Sequence, residues 1–259
     1  MALRLEDADK MIEVCDRFKT SLFVVKQNRY NLPVVKLREA LEEDRFGKLV
    51  MGTVRVRWTR RQDYYDQDGW RGTWAMDGGV LANQASHHID LLNWMMGDVE
   101  SVMAMTATQL VNIETEDTGT VLLRFRNGAL GIIEATTATR PRDLEGSISI
   151  LGECGVVEIG GFAVNEMRVW SFNDTRAMDT EVLNKYKTNP PNVYGFGHYE
   201  YMKGVIKSIN NHEKGLVDGL EGRKSLELIS AIYESVETRK EVFLRFKPSK
   251  CRLGITNHG

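Results

Sequence analysis

Residues 119–138 read GTVLLRFRNGALGIIEATTA. Two apolar-rich runs flank Asn127-Gly128, a pair that favours the left-handed backbone of a tight hairpin turn. The stretch predicts two antiparallel strands. Comparable short runs lie on either side: ESVMAMTATQL, GSISILG, VVEIGG and MRVWSF. Many consecutive strands joined by tight turns predict one large antiparallel sheet rather than a second parallel one. Upstream, TVRVRWTR sets Val54, Val56 and Trp58 against Arg55, Arg57 and Thr59, the alternation of a strand buried on one face.

Helices are expected around these strands. Leu5, Ala8, Met11, Ile12 and Cys15 recur at helical spacing over 4–18. SLFVVKQ (21–27) follows as a continuous apolar run, the pattern of a strand buried on both faces. A helix and then a buried strand read as the tail of an α/β unit whose other strands are absent. Further helices are predicted over 34–45, 196–211 and 219–239, a long loop over 174–193 and a closing strand over 241–246. The fold class is therefore α+β: a large, mostly antiparallel sheet with flanking helices, preceded by a remnant of an α/β domain.

Composition narrows the function. The 259 residues carry a net charge of -2 with basic residues spread along the chain, so neither a nucleic acid nor an anionic membrane is implied as partner. Cys15, Cys154 and Cys251 are too far apart for a zinc ribbon or a disulfide framework, and a reducing cytoplasm is the expected compartment. No apolar run approaches the roughly 18 residues of a membrane span, and the N-terminus lacks the apolar core of a signal peptide.

The chemistry concentrates in DGGVLANQASHHIDLLNWMMG (77–97), which holds two of the five histidines. On a helix beginning near Leu81, Asn83 and His87 share a face, with Asp90 placed to orient the ring, while Ala85, Ile89, Leu92 and Met96 form the packing stripe. Histidine titrates near neutral pH, so this pair suits proton transfer with a hydroxyl; a histidine held inertly in the core is the competing reading. His88 and Asp90 with the distant His198 loosely match a two-histidine, one-carboxylate iron site, although helical spacing points the first two to different faces. In QDGWRGTW (67–74), Trp70 and Arg71 put an aromatic plane beside a guanidinium, a device for a planar anionic ligand or a cap on the sheet edge. Tyr64 and Tyr65 share that ambiguity. Tyr194 and His198 lie in a glycine-flexed loop entering a helix. No GxGxxG or Walker-type loop occurs in the sequence.

The series VKQNRYNLP, WRGTWAMDGGVLANQASHHIDLLNWMMG, EDTGTVLLRFRNGALGIIEAT, SISILGECGVVEIGG and GHYEYMKGVI resembles, in order over nearly the whole chain, the Gfo/Idh/MocA oxidoreductases. NQASHHID is similar to the branch of UDP-N-acetyl-2-amino-2-deoxyglucuronate 3-dehydrogenases. The resemblance implies a Rossmann domain followed by a domain built on an open sheet, through which members form dimers or tetramers. It implies NAD or NADP as cofactor and a sugar nucleotide as substrate. His87 is then the histidine of the family's HxxD pattern, and His88 packs. Asn83 stands where many members carry aspartate, so His87 or a lysine must move the proton. Trp70 and Arg71 correspond to the cofactor-flanking pair, and Arg29, Tyr194 and His198 to the substrate cleft.

The resemblance also implies a departure. The family's Glu-Lys-Pro segment, with its catalytic lysine, would precede the helix at 4–18, and it is absent with the glycine fingerprint. Residues 1–30 are expected to be the last helix and strand of the dinucleotide-binding domain, and 31–259 the substrate-binding and oligomerisation domain. Cofactor binding and turnover by this chain alone are not expected. Three readings result: an NAD(P)-dependent sugar-nucleotide dehydrogenase represented by its substrate half, a non-catalytic binding or assembly module, and a non-haem metal enzyme.

Overall fold

The computed structural model describes residues 1–188, 190, 195–245 and 250–255. The hairpin forms where Asn-Gly places it. Strands β3 (Thr118–Phe125) and β4 (Leu130–Thr136) pair antiparallel with Val121 opposite Ile133, and Gly128 takes a φ of 88° that a side chain would strain. Six more strands join them: β1 (Leu49–Arg57), β2 (Val99–Ala107), β5 (Glu145–Gly152), β6 (Gly155–Gly160), β7 (Glu166–Phe172) and β8 (Val242–Phe243). They form one eight-stranded sheet in the order β7-β6-β5-β1-β4-β3-β2-β8. The sheet is mixed rather than uniformly antiparallel, because β1 enters between two meanders and runs parallel to β4 while antiparallel to β5.

Strand alternation gives the sheet two unlike faces. Val54, Val56, Val121, Leu123, Ile133, Ile148 and Ile150 point inward and are buried. Against them pack α4 (Ser86–Met96) and α7 (Gly219–Thr238), which also touch each other. Burying Ile89, Leu91 and Leu92 of α4 contributes about 1.5–3 kcal/mol per side chain. The helix sits so close to β1 that a Cβ on Gly52 would stand 2.7 Å from Met96 Cγ and 2.8 Å from Leu92 Cδ1. On the other face Met103, Met105, Leu122 and Leu130 stay exposed. That face is open, as the sequence suggests.

The remaining helices are α1 (Leu5–Arg17), α2 (Leu32–Glu42), α3 (Gln62–Asp66), α5 (Asp179–Lys185) and α6 (Gly197–Asn211). Four expectations are corrected. Residues 21–26 form no strand: no neighbouring strand lies beside them among the described residues, and only Val24 N reaches a distant carbonyl, Val217 O at 3.1 Å. Residues 1–30 therefore comprise a helix packed on α7, an extended segment and a 3-10 turn at Gln27–Tyr30. The predicted loop over 174–193 contains α5, held because Asp179 accepts from Arg45 and from Trp170 Nε1. The closing strand shrinks to Val242–Phe243, with 246–249 outside the described residues. The helix expected from Leu81 starts only at Ser86.

Candidate functional site

That late start shapes the site. Residues 77–85 make a turn instead of a helix, and three successive amides in it are bonded to groups from distant parts of the chain. Leu81 N donates to Glu116 Oε1 at 3.0 Å, Val80 N to Glu116 O at 2.9 Å, and Gly79 N to the Tyr233 hydroxyl at 3.2 Å. Asn83 and His87 consequently do not sit on one helical face. The Asn83 Nδ2 donates to Asp77 Oδ1, and its Oδ1 accepts from Gln84 Nε2 at 2.8 Å. Both ends of this amide are engaged within the protein.

The two histidines separate clearly. His88 is fully buried, its ring edge-to-face with Trp58 at 5.5 Å, and neither ring nitrogen has a partner. Burial pushes its pKa down to about 4. His87 is half-buried, and its Nδ1 is likewise unpartnered. Burial first, then the charges of Lys26, His88, His198 and the N-terminal amine, push it down to about 3. At neutral pH the ring is an uncharged acceptor.

Asp90 does not orient His87. It takes Arg29 in a bidentate pair, Nε to Oδ2 at 2.8 Å and Nη2 to Oδ1 at 2.9 Å, with both residues 2% exposed. Arg29 also donates to Glu221 Oε1 at 3.1 Å and lies 4.7 Å from the centre of the Trp94 ring. Its guanidinium is thus buried and held by two carboxylates. Lys26 stands 4.0 Å from Asp90 Oδ1, and burial lowers its pKa despite that carboxylate. The iron-site reading fails on the same geometry: Arg29 occupies Asp90, His88 faces Trp58, and no three metal-binding side chains converge among the described residues.

Trp70 and Arg71 are brought together as predicted. The Arg71 guanidinium lies 4.8 Å from the centre of Trp70 and 4.3 Å from Tyr64, and Nε donates to Asp68 at 2.9 Å. Gln84 Nε2 reaches the Tyr64 hydroxyl at 3.2 Å, which links this cluster to Asn83. The Trp70 ring is 37% exposed and offers a face to a planar group. The adjoining cleft, about 480 Å³, is lined by Arg71 together with Asp66, Asp68 and Glu114. His198 lies exposed in the first turn of α6, its charge felt at His87. Tyr194 lies outside the described residues.

Sequence reasoning missed the acceptors around the 3-10 turn. Gln27 Oε1, Asn28 Oδ1, Asn31 Oδ1 and Asn165 Oδ1 are buried without donors among the described residues. The Asn31 amide is oriented by its Nδ2, which donates to Ala163 O at 3.1 Å. The density of amides in KQNRYN was the available signal. It also missed Glu116, whose carboxyl burial pushes up to about 7, and Tyr233, which donates to it at 2.9 Å.

Residues 34–158 match the family profile of the GFO/IDH/MocA C-terminal domain. The chain is similar to the WlbA dehydrogenase of Chromobacterium violaceum, solved with NADH and UDP-GlcNAcA: 50% identity and a TM-score of 0.87, over 95% of this chain and 69% of that one. The Bordetella pertussis WlbA dehydrogenase, also with NADH and UDP-GlcNAcA, is 45% identical with a TM-score of 0.86, over 94% and 70% of the two chains. Myo-inositol 2-dehydrogenase of Thermotoga maritima is 26% identical over 94% of this chain and 70% of its own. These relatives are dehydrogenases, and the two WlbA structures hold NADH.

Proposed function

The chain belongs to the GFO/IDH/MocA family, and from that premise we propose that it forms the substrate side of a dehydrogenase that oxidises a ring hydroxyl of a nucleotide-linked sugar acid, C3 of a UDP-N-acetyl-hexosaminuronate. The observation that carries this reading is the neutral, unpartnered Nδ1 of His87 at the start of α4. The buried amide oxygens of Gln27, Asn28 and Asn31 add further acceptors without donors. Buried acceptors left unpaired are costly, and a ligand rich in hydroxyl and amide donors relieves that cost.

The nicotinamide, when bound, supplies the hydride acceptor, and Trp70 and Arg71 would hold its ring. His87 accepts a hydrogen bond from the sugar hydroxyl. As carbon is oxidised, that hydroxyl becomes strongly acidic, so an imidazole with a pKa pushed down to about 3 is basic enough to take the proton. The charge on Lys26 disfavours a second positive charge nearby, which helps the ring to pass the proton on. The buried Arg29–Asp90 pair fixes the 3-10 turn against α4 and so holds the amides in place beneath the sugar. Asn83, tied to Asp77 and Gln84, shapes the turn beside the ring.

In this proposal residues 31–259 are the substrate and oligomerisation domain, and 1–30 the margin of the dinucleotide-binding domain. The open sheet face is the contact between copies. Met103, Leu122 and Ile132 run across it in register, with Arg57 bridging Glu134 and Glu145 alongside. No helix among the described residues is long and apolar enough to cross a membrane; the proposal places the protein in the cytoplasm.

Calorimetric titration of the purified chain with a UDP-N-acetyl-hexosaminuronate, and separately with NADH, tests the reading. The nucleotide sugar binds, and His87→Asn weakens it about tenfold, the loss of one buried hydrogen bond. No heat from the nucleotide sugar with folded protein would end the proposal.

A further inference from the structure

We propose that Glu116 and Tyr233 are positioning residues for this reaction, clamping from behind the turn that carries Asn83 and launches the helix bearing His87. The inference rests on the role given to His87 above. Neither residue reaches the ligand side of the turn; both are buried beneath it.

The clamp takes three successive amides. Gly79 N donates to the Tyr233 hydroxyl, Val80 N to the Glu116 carbonyl and Leu81 N to Glu116 Oε1. The Tyr233 hydroxyl in turn donates to Oε1 at 2.9 Å, so one carboxylate oxygen gathers two donors. The turn then passes this constraint forward. Gly79 O accepts from Asn83 N at 3.0 Å, Val80 O from Ala85 N at 2.8 Å, and Ala85 O from His88 N and Ile89 N at 2.9 Å each. An unbroken series of hydrogen bonds therefore joins Glu116 to the first turn of α4. Gly79 has to be glycine, because a Cβ there would overlap the Glu116 carboxylate.

An apolar side chain would fill this space with a smaller desolvation penalty than a carboxyl that has no cation beside it. Packing alone does not account for Glu116. What an apolar residue could not do is accept from Leu81 and Tyr233, and without those acceptors the amides of 79–81 lose the partners that fix the turn. A turn released in this way would let Asn83 move and shift the start of α4. The loop before β3 and helix α7, which lie far apart in sequence, thereby set the position of His87.

Three variants test this: Glu116→Leu, which keeps bulk and removes the acceptor; Tyr233→Phe, which removes one hydroxyl; and Glu116→Gln, whose amide oxygen can still take both donors. Imidazole nitrogen–proton correlation spectra of the whole chain read His87, with His212 at the far end of α6 as internal control. Titration with a UDP-N-acetyl-hexosaminuronate reads the ligand side. Glu116→Leu and Tyr233→Phe are expected to move the His87 and Asn83 side-chain resonances, leave His212 in place and weaken nucleotide-sugar binding at least fivefold. Glu116→Gln should return both readouts to within twofold of the native chain. Should Glu116→Leu fail to fold, Tyr233→Phe still decides. Folded variants with His87 and Asn83 resonances unmoved overturn the inference. A native chain that does not bind the nucleotide sugar, with the resonance shifts intact, overturns the proposed function and leaves the clamp standing.

Discussion

Replacing His88 by leucine should stabilise the protein, and by more in acid than at neutral pH. Both ring nitrogens of His88 are buried without partners, and each unpaired polar atom costs about 1–3 kcal/mol. Leucine removes them. It also forfeits the edge-to-face contact with Trp58, worth about 0.5–1.5 kcal/mol. Steric strain is small, because leucine ends one atom short of Nε2, the atom that closes on the Gly146 Cβ position at 2.9 Å. The net gain at pH 7.5 is about 1–2 kcal/mol. The pH dependence follows from the depressed pKa. The unfolded histidine takes up a proton below about 6.5, while the folded one resists until about 4. Stability present above the unfolded value is therefore lost as pH falls through this window, by about 1.4 kcal/mol per unit. At pH 5 the native chain has lost about 2 kcal/mol to this one ring, and the leucine variant none of it. Urea unfolding followed by tryptophan fluorescence at pH 7.5 and pH 5 measures both. A variant less stable than the native chain at pH 7.5, or a gain identical at the two pH values, would refute the reasoning.

Asp90→Asn should destabilise the fold by about 3–5 kcal/mol, because it strands the buried Arg29 guanidinium. Glu221→Gln, at the more exposed end of the same network, should cost under about 1 kcal/mol in the same denaturation experiment. Gly52→Ala forces a methyl group into Met96 and Leu92 of α4 and should lower stability by about 1–3 kcal/mol, read as a lower urea midpoint with an unchanged slope. Charging the open sheet face with Met105→Glu and Leu122→Lys should reduce the sedimentation mass to that of one chain without lowering the melting temperature; an unchanged mass would remove that face as the contact between copies.

The sheet was the most legible part of the chain. The alternation in β1 and β3 and the Asn-Gly turn are local signals, and their spacing alone fixes which residues face inward. The start of α4 was not legible, because the turn ahead of it is bonded to Glu116 in the loop before β3 and to Tyr233 on α7, and no local propensity records that. SLFVVKQ misled for a related reason: its apolar run describes what a sheet would bury there, but a strand exists only with a neighbour to bond. At the candidate site, the paired histidines drew attention to α4. Their division of labour depended on depth. His88 turns into the sheet and His87 does not, a distinction of one helical step that only packing decides. Arg29 shows the converse limit: a residue type suited to binding an anion was already bound, by Asp90.

The placement of β1 bears on how the chain assembles. Its partners on both sides, β4 and β5, belong to meanders made much later in the sequence, and β1 can pair with neither until they exist. The β2–β3–β4 meander and the β5–β6–β7 meander close over short loops, whereas the central strand waits for contacts of long sequence separation. During synthesis the chain therefore emerges with a stretch of valine-rich strand, edges unpaired, while the two halves of the sheet that will enclose it are still being made. Such an interval favours mispairing with other copies, and the seam that β1 makes between the two meanders is where expression at high concentration would first go wrong.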